Sequence, residues 1–167
     1  LAAFLGHMIR TDATDTYGES FREAHDAYQR LGLPALLAHV RQYGAFPAWS
    51  ADGWIGKAEL SGGAALDMHI HDTDFALYLL GQPKEVASFG SVDRTGPAFA
   101  FTTLDYGGTV VHLEGGWNLP KKTPFRMTFR AIFEDGVVLW ENGPMTIIAQ
   151  GKDPEIATFP KMEAAGG

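Results

Sequence analysis

The sequence predicts an α+β domain, with helices packed on one face of an open, mostly antiparallel β-sheet. Before Gly81, apolar residues recur at helical spacing, and several stretches there are long enough for helices. After Gly81, apolar residues alternate with a period of two, and turn signals follow at short intervals. Helices that precede a run of strands are typical of α+β folds rather than of the β-α-β order of parallel sheets.

Composition excludes several classes of function. The 167 residues can form one sizeable core, and 46% hydrophobic with 20% charged residues is typical of a soluble globular domain. The net charge of −7 argues against binding to nucleic acid or to anionic membranes. No apolar run approaches the roughly 20 residues of a membrane span. The absence of cysteine excludes disulfides and thiolate metal sites. We expect a cytoplasmic protein.

Three elements are predicted before the central motif: a strand-like stretch over residues 1–9, an amphipathic helix over residues 17–31 and a strand over residues 34–43. The third is ambiguous, because residues 36–38 fit a helix equally well. Residues 44–57 then form a loop that contains Trp49 and Trp54. These tryptophans could form the wall of a pocket or plug the edge of the core from outside.

The second half of the chain is predicted to form an antiparallel meander of seven strands. They cover residues 85–93, 98–106, 109–117, 125–134, 137–141, 145–150 and 155–159. Strict alternation of apolar and polar residues over 125–133 indicates a sheet with one buried face. Val110, Ile132 and Val138 are read as apolar residues on the second face. They predict a homo-oligomer that associates through this face.

The chain is organised around residues 61–81, where two glycines open a helix-length run that ends at Gly81. At about 100° per residue, one narrow stripe of that helix holds Asp67, His71, Asp74 and Tyr78. Apolar residues on both flanks predict that the helix packs on two sides. A carboxylate one turn from an imidazole suits general acid/base catalysis. The same pair could equally be a structural ion pair.

Other chemistries receive less support. The sequence contains no nucleotide-binding glycine-rich motif and no nucleophilic serine elbow, although Gly62 and Gly63 could hold an anion through their N–H groups. If residues 67–71 were a strand, a divalent metal could be held by Asp67, His69 and His71. The uninterrupted helix-compatible run from residue 64 to residue 80 favours a helix, which separates His69 from the other two. His112 and Glu114 are read as sheet-face residues, and no metal is expected.

The run GGAALDMHIHDTD, followed by LYLLG and a proline, resembles the Gfo/Idh/MocA family of NAD(P)-dependent sugar and polyol dehydrogenases. The resemblance implies the family's C-terminal substrate domain, a dihydrodipicolinate-reductase-like fold. It also implies that residues 1–10 end the crossover from a missing Rossmann domain, with residues 5–10 carrying the likeness. Residues 11–162 would then form the substrate-binding and oligomerisation domain, and residues 163–167 a frayed tail.

By this resemblance, His71 exchanges a proton with a substrate hydroxyl while hydride passes between the substrate and NAD or NADP. Asp67 orients the histidine, and Asp74 binds substrate or supports the site. Further candidates for substrate contact are Trp49, Trp54, Lys57, His7 and Arg10.

The departures from the family pattern concern the cofactor. The glycine-rich loop and the Glu-Lys-Pro motif with the catalytic lysine are absent from this sequence. We therefore expect the chain to be inactive alone and to bind no cofactor tightly. His69 occupies a position where the family usually has a small residue. The alternative is a stand-alone α+β module that binds a sugar or dimerises without catalysis.

Overall fold

A computed structural model describes the backbone of residues 37–141 and 144–156. The helical segments are an irregular 3₁₀ turn (Ala51–Gly56), α1 (Ala58–Ser61), a π turn (Ala65–His69) and α2 (Ile70–Leu80). The strands are β1 (Leu37–Ala45), β2 (Glu85–Asp93), β3 (Gly96–Asp105), β4 (Val110–Leu119), β5 (Arg126–Phe133), β6 (Gly136–Glu141), β7 (Thr146–Ala149) and β8 (Glu155–Ile156).

These strands form one sheet in the order β2-β3-β4-β1-β5-β6-β7-β8. β1 runs parallel to β4, with Leu37 opposite Val110, and antiparallel to β5. All other neighbouring strands in the described chain are antiparallel. The open, mostly antiparallel sheet is therefore confirmed.

The predicted uninterrupted meander is wrong, because β1 separates β4 from β5. The physical reason lies in the connections. Two-residue turns join β2 to β3 and β5 to β6, so those strands must pair as hairpins. Residues 120–125 form a longer connection that can cross the end of β1. Alternation within strands predicts neither this crossing nor the pairing of a strand that is distant in sequence.

Most strand boundaries agree with the sequence. β2 covers the predicted residues, and the ends of β1 and β3 to β7 differ from prediction by at most three residues. The segment predicted as a loop, residues 44–57, contains the 3₁₀ turn, and α1 begins directly after it. The predicted strand over residues 1–9 and the helix over residues 17–31 lie outside the described residues, as does the end of the last strand.

The core lies between the helices and one face of the sheet. Its larger cluster is formed by Phe75 and Ala76 of α2 against buried residues of β3 to β7. Phe75 meets Phe129 of β5 edge to face, with ring centroids 5.2 Å apart. A second cluster joins Ile55 of the 3₁₀ turn and Met68 of the π turn to Trp117 of β4. Among the described helices, none has the length and apolar content that crossing a membrane requires.

The opposite face of the sheet is less covered. Phe89 and Phe101 are opposite each other on β2 and β3, and their exposed fractions are 78% and 54%. Val110 and Ile132 are partly buried. The assignment of Val138 to this face is wrong, because Val138 is 2% exposed and belongs to the larger core cluster. An apolar residue in β6 fits either face by period alone.

Candidate functional site

Two glycines separate α1 from the motif helix. Gly62 and Gly63 have φ angles of 72° and 71°, a left-handed conformation that favours glycine. A Cβ on Gly63 would lie 2.6 Å from the carbonyl oxygen of Pro97. The N–H of Gly62 donates to the carbonyl of Ala58, and the N–H of Gly63 donates to Ser61 Oγ. The glycines are required by the turn, and both N–H groups that could have held an anion donate within the chain instead.

The motif helix begins with the π turn and continues as α2. A π turn holds an extra residue, so it rotates the residues before it relative to those after it. The side facing the sheet is formed by Met68, His69, Asp72, Phe75 and Ala76. Leu66 is 61% exposed, so the expectation that both flanks pack is wrong for this residue.

Asp67 and His71 interact on the less buried side of the helix. Partial burial raises the pKa of Asp67 above its usual value, and the charge of His71 lowers that pKa by a smaller amount. Asp67 and His71 therefore lie within electrostatic range of each other. His71 is exposed, so a ligand can reach its ring. The arrangement can accept a proton at the imidazole and stabilise the resulting charge with the carboxylate.

Asp74 and Tyr78 follow His71 by three and seven residues in α2, which places all three on one side of the helix. Asp74 is partly buried and Tyr78 is 50% exposed. The structure thus keeps the polar stripe that the helical spacing predicts. A substrate-binding role for Asp74 stays a prediction.

A second histidine and acid lie on the opposite, buried side. Nε2 of His69 is 2.8 Å from Thr102 Oγ1 on β3, and Thr102 Oγ1 is 2.8 Å from Ser88 Oγ on β2. Nδ1 of His69 is 3.9 Å from Asp72 Oδ2, beyond hydrogen-bonding distance, and both atoms are buried.

Burial favours the neutral forms of both groups, because it lowers the pKa of His69 and raises the pKa of Asp72 well above its usual range. Burial thus disfavours the charged forms that an ion pair between these two side chains would need. Gly115 of β4 makes room for them, since a Cβ there would lie 2.8 Å from His69 Nδ1.

Helical spacing singles out the stripe that contains His71 and does not single out this pair, although the sequence carries a local signal for it. Met68, Phe75 and Leu79 mark an apolar side of the helix, and Asp72 lies between them at spacings of three and four residues. A polar residue inside an apolar side should have been read as buried and in need of a partner.

The remaining predicted site residues are not gathered around His71 by any described contact. Trp49 is 81% exposed and Trp54 is 42% exposed. Ile55, which directly follows Trp54, is buried in the core. Lys57 is exposed and precedes α1. His7 and Arg10 lie outside the described residues. The substrate contacts assigned to these five residues stay predictions.

The structure does not bring Asp67, His69 and His71 together as the ligands of a metal ion. Across the residues that the structure describes, no group of three His, Asp or Glu side chains could hold a metal ion. His69 faces the sheet, whereas His71 is exposed. His112 and Glu114 alternate with buried Val111 and Leu113 on β4, which confirms that they are sheet-face residues. His112 Nδ1 is 3.0 Å from Thr103 Oγ1.

The fold is similar to that of several solved oxidoreductases. An inositol dehydrogenase homolog from Azotobacter vinelandii, complexed with NAD+, matches this fold with a TM-score of 0.69 at 14% identity. The matched region covers 83% of this chain and 40% of the homolog's chain. The UDP-N-acetylglucosamine 3-dehydrogenase from Acidithiobacillus ferrooxidans has a TM-score of 0.63 at 20% identity, with coverages of 86% and 46%. At these identities the likeness concerns the fold, and the chain spans less than half of either protein.

The N-terminal segment is similar to a different group. Residues 1–43 match the family model described as Protein DA1. Protein DA1-related 1 of Arabidopsis thaliana is 38% identical over 47 residues, which cover 28% of this chain and 8% of that protein. The LIM domain-containing protein HDR3 of Oryza sativa subsp. japonica is 40% identical over 47 residues, with coverages of 28% and 9%. The chain spans less than a tenth of these curated relatives.

The larger family match begins within that segment and continues through the described fold. The model described as GFO/IDH/MocA C-terminal domain matches residues 30–139, which include β1, the motif helix and the strands up to most of β6. The match does not reach residues 1–10, so their assignment to a crossover stays a prediction. Because it covers well over half of the 167 residues, the chain belongs to the GFO/IDH/MocA C-terminal domain family.

Proposed function

We propose that this domain provides the substrate-binding and acid/base half of an NAD(P)-dependent oxidoreductase that acts on a sugar, a cyclitol or a related polyol. The observation that supports this most is the interaction of Asp67 with an exposed His71 in the family's motif helix. The names of similar solved structures, an inositol dehydrogenase homolog and a UDP-N-acetylglucosamine 3-dehydrogenase, support the substrate class.

In this proposal, His71 accepts the proton of a substrate hydroxyl through its exposed ring. Asp67 stabilises the protonated imidazole, because a nearby carboxylate favours the charged form. Asp74, on the same side of α2, contacts a neighbouring hydroxyl of the substrate in this proposal. In the reverse direction, the protonated ring returns its proton to the carbonyl oxygen of the substrate.

The described residues do not fit a dinucleotide. The only paired glycines before a helix in the described chain are Gly62 and Gly63, and both N–H groups are engaged within the chain. NAD(P), which would accept the hydride, therefore has to be held by another part of the protein. We propose that this chain alone is inactive and that a Rossmann domain completes the site.

The test compares two exposed histidines in the complete polypeptide that contains this domain. Reduction of NAD+ and NADP+ is followed at about pH 8 with a panel of sugars and cyclitols, and the variants are His71→Ala and His112→Ala. Loss of a general base typically costs about 10²- to 10⁴-fold in kcat. We expect that loss for His71→Ala only, since His112 lies on the open sheet face.

Equal turnover of the two variants would contradict the assignment of His71. A polypeptide that binds sugars but reduces neither cofactor would instead support the stand-alone binding module. In that case, substitution of Trp49 and Trp54 should remove sugar binding, because exposed tryptophans suit stacking on sugar rings. Association through the open sheet face and a cytoplasmic location remain part of the proposal.

A further inference from the structure

The inference concerns His69, which is held at three points. Its ring Nε2 contacts Thr102 of β3 at 2.8 Å, its carbonyl oxygen accepts a hydrogen bond from Thr73 Oγ1 at 3.0 Å, and its ring edge lies against Gly115. His69 is also the last residue of the π turn. It therefore fixes the junction of the π turn and α2 to the sheet.

The hydrogen-bonding capacity of these groups determines which of them donates and which accepts at each contact of the His69 ring. A neutral imidazole has one donor and one acceptor, and a threonine hydroxyl can accept one bond while donating another. If His69 donates from Nε2 to Thr102, Thr102 can donate to Ser88, and Nδ1 is left to accept from a protonated Asp72. A small side-chain movement would close the 3.9 Å gap between Nδ1 and Oδ2.

His69 lies midway between Asp67 and His71 in the sequence. Residues two positions apart in a helix differ by about 200°, so Asp67 and His71 project away from the side that His69 anchors. A change in how His69 is seated would rotate or lift both side chains together with the backbone that carries them. Small changes of this kind matter, since a misplacement of about 1 Å can cost about 10²-fold in rate.

We propose that His69 is a positioning residue for the Asp67–His71 pair, and that its bond to Thr102 sets the rotation of the π turn from which that pair projects. The proposal deepens the proposed function and rests on it for the role of the pair. The geometric part can be measured without any turnover.

The deciding experiment uses NMR on the chain itself. The Cε1–H resonance of His71 is followed through a pH titration, where the interaction with Asp67 adds an inflection as the carboxyl titrates. Asp67→Asn identifies that inflection by removing it. We expect His69→Leu and Thr102→Val to abolish or strongly reduce it. His69→Gln should retain it, because an amide Nε2–H can still donate to Thr102.

Thr103→Val is the matched control. It also removes a threonine–histidine hydrogen bond from β3, but on the open face of the sheet at His112. It should leave the His71 titration unchanged. Thr102→Val keeps the side-chain volume and suits a strand. It therefore still tests the proposal if His69→Leu fails to fold.

An unchanged inflection in Thr102→Val, with a wild-type circular dichroism spectrum, would overturn the proposal. In the complete enzyme, the same variant should lower kcat by about tenfold or more with little change in KM. If the NMR result is as expected but neither the wild-type protein nor any variant oxidises a sugar, then His69 does position the Asp67–His71 pair but the proposed function is wrong.

Discussion

At the scale of single residues, Gly115 makes the contact between the motif helix and β4 possible. A Cβ at this position would lie 2.8 Å from His69 Nδ1 and 3.3 Å from Asp72 Oδ2. Gly115→Ala should therefore push the ring away from the sheet and lower the free energy of unfolding by about 1–3 kcal/mol. Chemical denaturation measures this change.

Gly108→Ala is the control for that substitution. Gly108 precedes β4, and a Cβ added there would meet no atom within 4 Å. Its effect on stability should be small and could be favourable, because alanine restricts the unfolded chain. Similar losses in both variants would mean that close approach at Gly115 does not matter.

A second prediction concerns Asp72, whose pKa is raised by burial well above the ordinary 3.8. Above pH 3.8 the unfolded chain releases this proton while the folded chain keeps it. Stability therefore falls as pH rises through the window up to the folded pKa. Asp72→Asn removes this dependence, so the variant should gain stability relative to wild type as pH rises.

Denaturation of both proteins across a pH series measures the trend, and the difference between them cancels other titrating groups. His69 contributes with the opposite sign, because its lowered pKa makes stability fall as pH drops below 6.5. Asp153→Asn makes the same substitution at an exposed position and is the matched control. A stability difference that is independent of pH would contradict a neutral buried Asp72.

At the scale of elements, the motif helix is packed unevenly against the sheet. Phe75 is 5% exposed and meets Phe129, whereas Leu66 in the preceding π turn is 61% exposed. Phe75→Ala should cost about 3–5 kcal/mol, because it removes a fully packed ring from the larger core cluster. Leu66→Ala should change stability by less than about 0.5 kcal/mol. Comparable losses in the two variants would mean that the second flank is covered.

The elements show what a sequence can predict. Period-two alternation located the strands well, since each side chain's face follows from its neighbours within the strand. The π turn was not predicted, because an inserted helical residue leaves no local signature in composition and is stabilised by tertiary contacts such as that of His69 with Thr102. The expected packing of Leu66 was consequently wrong, whereas helical spacing correctly separated His69 from His71.

At the scale of the whole molecule, the order of the strands was not encoded in any local pattern. β1 enters the centre of the sheet and pairs with β4 and β5, which follow it by many residues. Helical spacing does bring the partly buried Asp67 and the exposed His71 to one side of the helix, and their role in catalysis stays a prediction. The apolar neighbours of Asp72 signal that it is buried, but its pairing with His69 depends on which side of the helix meets the sheet.

The last prediction concerns association of copies of this chain. The edge strand β2 is exposed along its length, and its residue Phe89 lies opposite Phe101 on the open face. Apolar rings at 78% and 54% exposure are unusual on a surface that stays in water. We therefore expect this chain to self-associate through the open face, and Phe89→Lys to weaken association by at least about tenfold, because burying a charge there is costly.

Sedimentation velocity over a concentration series measures this association. Val86→Lys is the matched control, since Val86 is 61% exposed on the same strand but lies opposite Leu104, on the helix-bearing face. If the open face is the interface, then only the Phe89 variant should dissociate. Equal weakening by both variants would instead point to the edge of β2 as the surface that pairs, because a strand edge is shared by both faces. A wild-type chain that stays monomeric at high concentration would contradict self-association altogether.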